Sequence, residues 1–129
     1  MPHIIVEYTD NLRAKTDVRE LLIRINSVFI ARPETFPVGG IRSRAIALTD
    51  YVVADGTADD AFVHTQIRIG AGRSEEEKKD VCDALFHVME DYFKDLFSER
   101  YLALSLELYE FPVSGTYKKN NIHERYNRV

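Results

Sequence analysis

Residues 61–109 read AFVHTQIRIGAGRSEEEKKDVCDALFHVMEDYFKDLFSERYLALSLELY, and three signals follow one another in that run. From Ala61 to Ile69 apolar residues alternate, which puts Val63, Thr65, Ile67 and Ile69 on one face of a strand. Gly70-Ala71-Gly72-Arg73 turns the chain, and Ser74 with Glu77 forms a capping box that opens a helix running to about Phe97. A strict period of two then sets Leu102, Leu104, Leu106 and Leu108 against Ala103, Ser105, Glu107 and Tyr109, a second strand. Two strands joined through a helix obey the crossover rule, so they should lie parallel with the helix on one face of the sheet.

The same grammar runs through the first half. Pro2 to Tyr8 is a short β-branched strand that stops at the turn chemistry of Thr9-Asp10-Asn11. From Asp17, with Glu20 completing a start signal, Val18, Leu21, Leu22, Ile25, Val28 and Phe29 recur at helical spacing until Arg32-Pro33. A loop through Pro37, Gly39 and Gly40 leads to a strand from Ile41 to about Asp50, with Arg42, Arg44, Ile46 and Leu48 on one face. Turn residues at Asp55-Gly56 and Asp59-Asp60 separate the halves. The expectation is an α+β fold made of a doubled β-α-β unit. It has a four-stranded mixed sheet with two helices on one face, in a single domain over residues 1–129 with pseudo-repeats at about 1–57 and 58–129. An unrelated α+β domain whose elements merely alternate would give the same pattern.

Composition narrows the class. With 129 residues and 45% hydrophobic content the chain can build a core without metal or disulfides. Seventeen Lys and Arg against 21 Asp and Glu leave a net charge of −4, which offers no field for nucleic acid. Cys82 has no partner for an internal disulfide, and Glu7 and Asp10 stand where a secretory signal would carry its apolar core. No apolar run approaches the roughly 18 residues of a membrane span. A soluble, cytoplasmic protein is expected. Two helices cover one sheet face and leave a second that is not uniformly polar, while the apolar stripe of the second helix is wider than one sheet requires, so a homo-oligomer is expected too.

Most catalytic constellations are missing from the sequence. His3, His64, His87 and His123 are scattered without metal-ligand spacing, Cys82 falls in the apolar rhythm of a helix, and Gly70-Ala71-Gly72 lacks the continuation of a phosphate-binding loop. The start, Met1-Pro2, is different. Removal of Met1 would leave proline with a secondary amine, a compact base whose pKa partial burial beside cations lowers toward neutrality. Arg42 and Arg44, at the start of a strand, and Arg73, between a glycine turn and a helix N-terminus, are placed to bind small anions by forked hydrogen bonds. Surface arginines paired with Asp or Glu are the plain alternative.

Several segments carry a family resemblance. Met1-Pro2-His3-x-Ile5-Val6-Glu7, Gly39-Gly40-Ile41-Arg42-Ser43-Arg44, Ala54-Asp55-Gly56, Phe62-Val63-His64, Ile69-Gly70-Ala71-Gly72-Arg73-Ser74 and Lys119-Asn120-Asn121-Ile122-His123 occur in order. Together they resemble the 5-carboxymethyl-2-hydroxymuconate isomerases of the tautomerase superfamily, relatives of 4-oxalocrotonate tautomerase and macrophage migration inhibitory factor. The resemblance implies a homotrimer with sheets lining a central barrel and no metal or cofactor. It further implies a proton shift from dienol to conjugated keto form on a tricarboxylate, in homoprotocatechuate (4-hydroxyphenylacetate) degradation. The family's N-terminal proline falls on Pro2, its strand-end arginine on Arg42 and its turn arginine on Arg73, with Arg44 a neighbour on the same face. A sister tautomerase acting on another enol acid, and a small-ligand or interaction module without catalysis, are the alternatives.

Overall fold

The computed structural model describes residues 1–126. Asp17 starts helix α1 (Val18–Ile30): its side chain accepts from the Glu20 N–H, and Leu21, Ile25, Val28 and Phe29 form the buried face. Helix α2 (Glu75–Tyr92) opens with the full capping box, the Ser74 hydroxyl accepting from the Glu77 N–H and the Glu77 carboxylate from the Ser74 N–H. Val81, Leu85 and Met89 point from α2 into the core.

A single second helix reaching Phe97 is not what forms. Phe93 leaves helical geometry (φ −95°, ψ 10°) and a short helix α3 (Lys94–Glu99) follows. The break lets Phe93 bury its ring to 2% exposure and Leu96 reach the core, while Phe97 stays 57% exposed. Tyr92, packed edge-on against Phe93, ties the end of α2 to the start of α1 by a hydroxyl bond to Asp17.

The sheet has the order β2-β1-β3-β4. Strand β1 (His3–Thr9) runs parallel to β2 (Arg42–Leu48) and antiparallel to β3 (Ala61–Gly70), and β3 runs parallel to β4 (Leu102–Phe111). Each half is therefore a parallel β-α-β unit, as the crossover rule requires. Ile4, Val6, Tyr8, Val63, Thr65, Ile67 and Ile69 face the helices and are buried, with Leu104, Leu106 and Leu108 of β4 packed against them. The opposite face carries His3, Ile5 and Glu7 beside Arg42, Arg44 and Ile46, then His64, Gln66 and Arg68 beside Ser105, Glu107 and Tyr109. The register aligns Arg42, His3, Arg68 and Tyr109 in one row across all four strands.

Beyond β4 the chain turns back as an irregular strap that leads to a helical turn, α4 (His123–Tyr126), seated on the 3-10 turn Val38–Gly40. Among the described residues no helix is long and apolar enough to cross a membrane.

Candidate active site

The N-terminus is built into the sheet from its first residues. Pro2 is buried, and its carbonyl accepts from the Arg42 N–H at 3.1 Å, which fixes the head of β1 against the head of β2. Met1 projects beyond that pair, where its thioether sulfur accepts from Arg42 Nη1 at 3.0 Å. The amine of Met1 is pushed down to about 6, first by burial and then by the positive charges of Arg73, Lys118 and Arg42. A base placed there is mostly unprotonated at neutral pH.

Around this end of the chain lies a cleft of about 570 Å³, lined by Met1, His3, Arg42, Arg44 and Arg68 from the sheet and by Phe111, Gly115, Thr116, Tyr117, Lys118 and Lys119 from the end of β4 and the strap. A smaller cavity of about 210 Å³ adjoins it through Met1 and Lys118 and includes Pro37, Gly40, Asn120 and His123. Outside the cleft Arg24, Arg32, Lys78, Lys79 and Arg100 each meet a carboxylate within 4 Å, while among the described residues Arg13, Lys15, Arg19 and Lys94 meet none. Among the described residues Arg42, Arg44, Arg68, Lys118 and Lys119 meet none. A chain of net charge −4 has thus gathered five cations without counter-ions at one opening. Such a charge arrangement suits a polyanion.

His3 belongs to the same wall. Burial and then Arg44, Arg42, the N-terminal amine and Arg68 hold its imidazole below the usual histidine range, which favours the neutral form. Arg44 Nη1 can only donate, so His3 Nδ1, 3.1 Å away, accepts and the ring proton sits on Nε2. A neutral imidazole in a cationic cleft can donate a hydrogen bond without competing for a substrate proton.

Arg42 and Arg44 line the cleft, and Pro2, buried behind Met1, meets Arg42 through its backbone carbonyl. Arg73 sits differently: its Nε and Nη2 donate to the Thr35 carbonyl at 3.2 and 2.9 Å, its Nη1 donates to the Gly70 carbonyl at 3.1 Å, and its guanidinium lies 4.6 Å from the Phe36 ring centroid. The forked edge of Arg73 is directed at backbone, and its charge acts on the amine. Gly72, at φ +116°, makes the turn that places it. Arg68, Lys118 and His3 escaped the sequence reading as site residues. Arg68 lies in register with His3, which a strand alignment would have revealed, but nothing local marks Lys118. Among the described residues no group of His, Cys, Asp and Glu side chains comes together to hold a metal ion.

Comparison with known proteins gives this arrangement a lineage. The family model for 5-carboxymethyl-2-hydroxymuconate isomerase matches residues 2–126. The chain belongs to the 5-carboxymethyl-2-hydroxymuconate isomerase family. It is 40% identical over 123 residues to the 5-carboxymethyl-2-hydroxymuconate Delta-isomerase of Escherichia coli, a match covering 95% of this chain and 97% of that one. A crystal structure of a 5-carboxymethyl-2-hydroxymuconate isomerase from Deinococcus radiodurans R1 superposes with a TM-score of 0.94 at 54% identity, covering 98% of this chain and 95% of that one. A fused 4-OT symmetric trimer has a TM-score of 0.65 at 17% identity over 91% of this chain and 93% of that one, and carries the fold alone. The mixed four-stranded sheet with its helices is therefore the tautomerase fold, and membership of an isomerase family disfavours the non-catalytic module.

Proposed function

We infer that the chain is a 5-carboxymethyl-2-hydroxymuconate Delta-isomerase that acts in homoprotocatechuate breakdown, with the amine of Pro2 as its base once Met1 is removed. Five cations without carboxylate partners, around a cleft that opens on the N-terminus, carry the reading: the substrate brings three carboxylates. Loss of Met1 would do two things at one point. It would turn the Pro2 nitrogen from an amide into a secondary amine, and it would release the Arg42 guanidinium from the Met1 sulfur.

The chemistry asks for little more. The base takes the proton of the C2 enol hydroxyl, C2=O forms, and the diene shifts to a single C3=C4 double bond. The proton then returns to C5 at the far end, which gives the conjugated keto isomer. No bond between heavy atoms breaks, so positioned proton transfer, worth about 10²- to 10⁴-fold, and charge stabilisation of the dienolate suffice. Arg42 and Arg44 hold carboxylates, His3 Nε2–H offers a neutral donor, and Arg73, committed to Thr35 and Gly70, keeps the amine deprotonated. A homotrimer is the working assembly in this reading.

An ultraviolet assay of dienol loss with the tricarboxylate tests the proposal, together with the intact mass of the active protein. Turnover by a chain that begins at Pro2 is expected. Pro2→Ala replaces the secondary amine with a primary one and loses the ring, and kcat should fall by about 100-fold or more. Full activity in protein that retains Met1 stoichiometrically would exclude the amine of Pro2 as base. Arg42→Ala should lower kcat/KM by about 10- to 150-fold, the loss of one charge-assisted contact of about 1.5 to 3 kcal/mol.

A further inference from the structure

The run from Pro112 to Asn121 forms neither helix nor strand, yet its far end is fixed. Asn120 Nδ2 donates to the Gly39 carbonyl at 2.8 Å, and Asn120 Oδ1 accepts from the Ile122 N–H at 2.8 Å. A Cβ on Gly39 would stand 2.8 Å from both Cα and Nδ1 of His123, so the strap latches down only where residue 39 is glycine. Between latch and sheet, Lys118 lines both the main cleft and the smaller cavity beside Met1. It is exposed and has no carboxylate partner among the described residues.

The cleft thus has two walls of different chemistry. Its sheet side offers arginines with planar forks, suited to the carboxylates that lie in the plane of a conjugated dienol. The strap side offers lysine, a point charge on a flexible stem. A carboxymethyl arm leaves the plane of the diene through a tetrahedral carbon, so its carboxylate cannot lie with the other two. A long, adaptable cation reaching in from the opposite wall meets that requirement.

We propose that the strap from Pro112 to His123 is the roof of the substrate site and that Lys118 is its specificity-determining cation, which receives the carboxymethyl carboxylate and selects tricarboxylate over dicarboxylate dienols. This rests on the isomerase reading above. The test compares kcat/KM of the full chain and of Lys118→Gln on 5-carboxymethyl-2-hydroxymuconate and on 2-hydroxymuconate, which lacks only the carboxymethyl arm.

Lys118→Gln should lose about 10- to 100-fold on the tricarboxylate, mostly in KM, and that loss should exceed the loss on the dicarboxylate by about tenfold or more. Equal losses on both substrates, or none, would overturn the assignment, since Lys118 would then act on the amine or on nothing. Lys118→Arg should recover part of the selectivity. Gly39→Ala, which disturbs the latch without changing a charge, should erode the same selectivity provided its circular dichroism matches wild type. Wild-type selectivity in a folded Gly39→Ala protein would remove the strap as roof. If that variant does not fold, the exposed Lys118 substitutions decide the question. Should wild type turn over neither dienol, the isomerase reading falls, and calorimetry with tricarballylate and glutarate judges Lys118 separately. Tenfold weaker tricarballylate binding by Lys118→Gln, with a smaller change for glutarate, would support the roof; equal changes or none would overturn it.

Discussion

At the scale of residues, the N-terminal amine and its cations form one electrostatic unit. Burial and then Arg73, Lys118 and Arg42 push the amine of Met1 down to about 6, and burial beside the same cations should move the amine of Pro2 in the same direction once Met1 is gone. A base accepts a proton only when unprotonated, so activity should be full above its pKa and fall as pH drops through it. We expect kcat/KM to show an acid limb below the ordinary α-amino range, measured on free enzyme from about pH 5 to about pH 9. Arg73→Gln removes a positive charge and should move that limb upward, toward the ordinary α-amino range. An unmoved limb would show that Arg73 serves only the Thr35 and Gly70 carbonyls. The placing of Arg42 and Arg44 on one face at the head of β2 is legible because a strand start and a two-residue spacing are local facts. The placing of Arg68 and Lys118 is not, because tertiary structure alone brings them to the cleft from β3 and from the strap.

At the scale of elements, the cap of α2 organises more than a helix. Glu77, which completes the capping box with Ser74, also accepts from the Thr35 hydroxyl at 3.2 Å, and the Thr35 carbonyl is the acceptor for Arg73. Phe36, fully buried, lies under Arg73 and edge-on to Phe29 of α1 at 4.9 Å. The cap therefore fixes the loop that continues to Gly39 and the strap's latch. Ser74→Ala should cost about 1 kcal/mol, within about 0.5 to 2, in urea unfolding. An unchanged midpoint would mean that the Glu77 contacts hold the turn without the serine. A core position on β3 gives the opposite sign. Thr65 is fully buried and its hydroxyl has no hydrogen-bond partner among the described residues. Thr65→Val keeps the shape and removes the unsatisfied group, so it should stabilise the fold by about 1 kcal/mol, again read by urea unfolding. The capping box and the period-two strands were legible because each is a short-range pattern. The break at Phe93 was not, since the apolar rhythm runs on through Leu96 and Phe97 and only packing decides where the helix bends. The strap has no periodicity at all, and its Gly39-to-Asn120 contact spans most of the chain.

At the scale of the whole molecule, two features point away from a lone protomer. Phe86, Phe97, Leu102 and Leu104 line a groove of about 640 Å³ beside α2 and the β4 edge, with Phe97 57% exposed. On the far side of the sheet, Ile46 of β2 is 46% exposed on a face whose other members include a linked network. In it, His64 bonds Ser105 Oγ at 2.6 Å and Glu107 Oε1 at 2.7 Å, and Tyr109 donates to Glu107 Oε2 at 2.7 Å. A closed ring with an odd number of copies must use unlike patches, so the groove on one copy and the β2 side of the next are complementary candidates. Strands β2 and β4 are also the two sheet edges, whose unpaired backbone groups a ring would cover. Light scattering should give three times 14.9 kDa. Phe97→Glu and Ile46→Glu lie on opposite sides, and each sits at an exposed position whose charge the isolated fold tolerates. Either substitution should lower the mass to that of one chain while circular dichroism stays unchanged, because one damaged patch per copy breaks every contact in a ring of unlike surfaces. A wild-type mass of one chain at micromolar concentration would rule out the trimer, and a trimer indifferent to both substitutions would place its interfaces elsewhere on the sheet and helices.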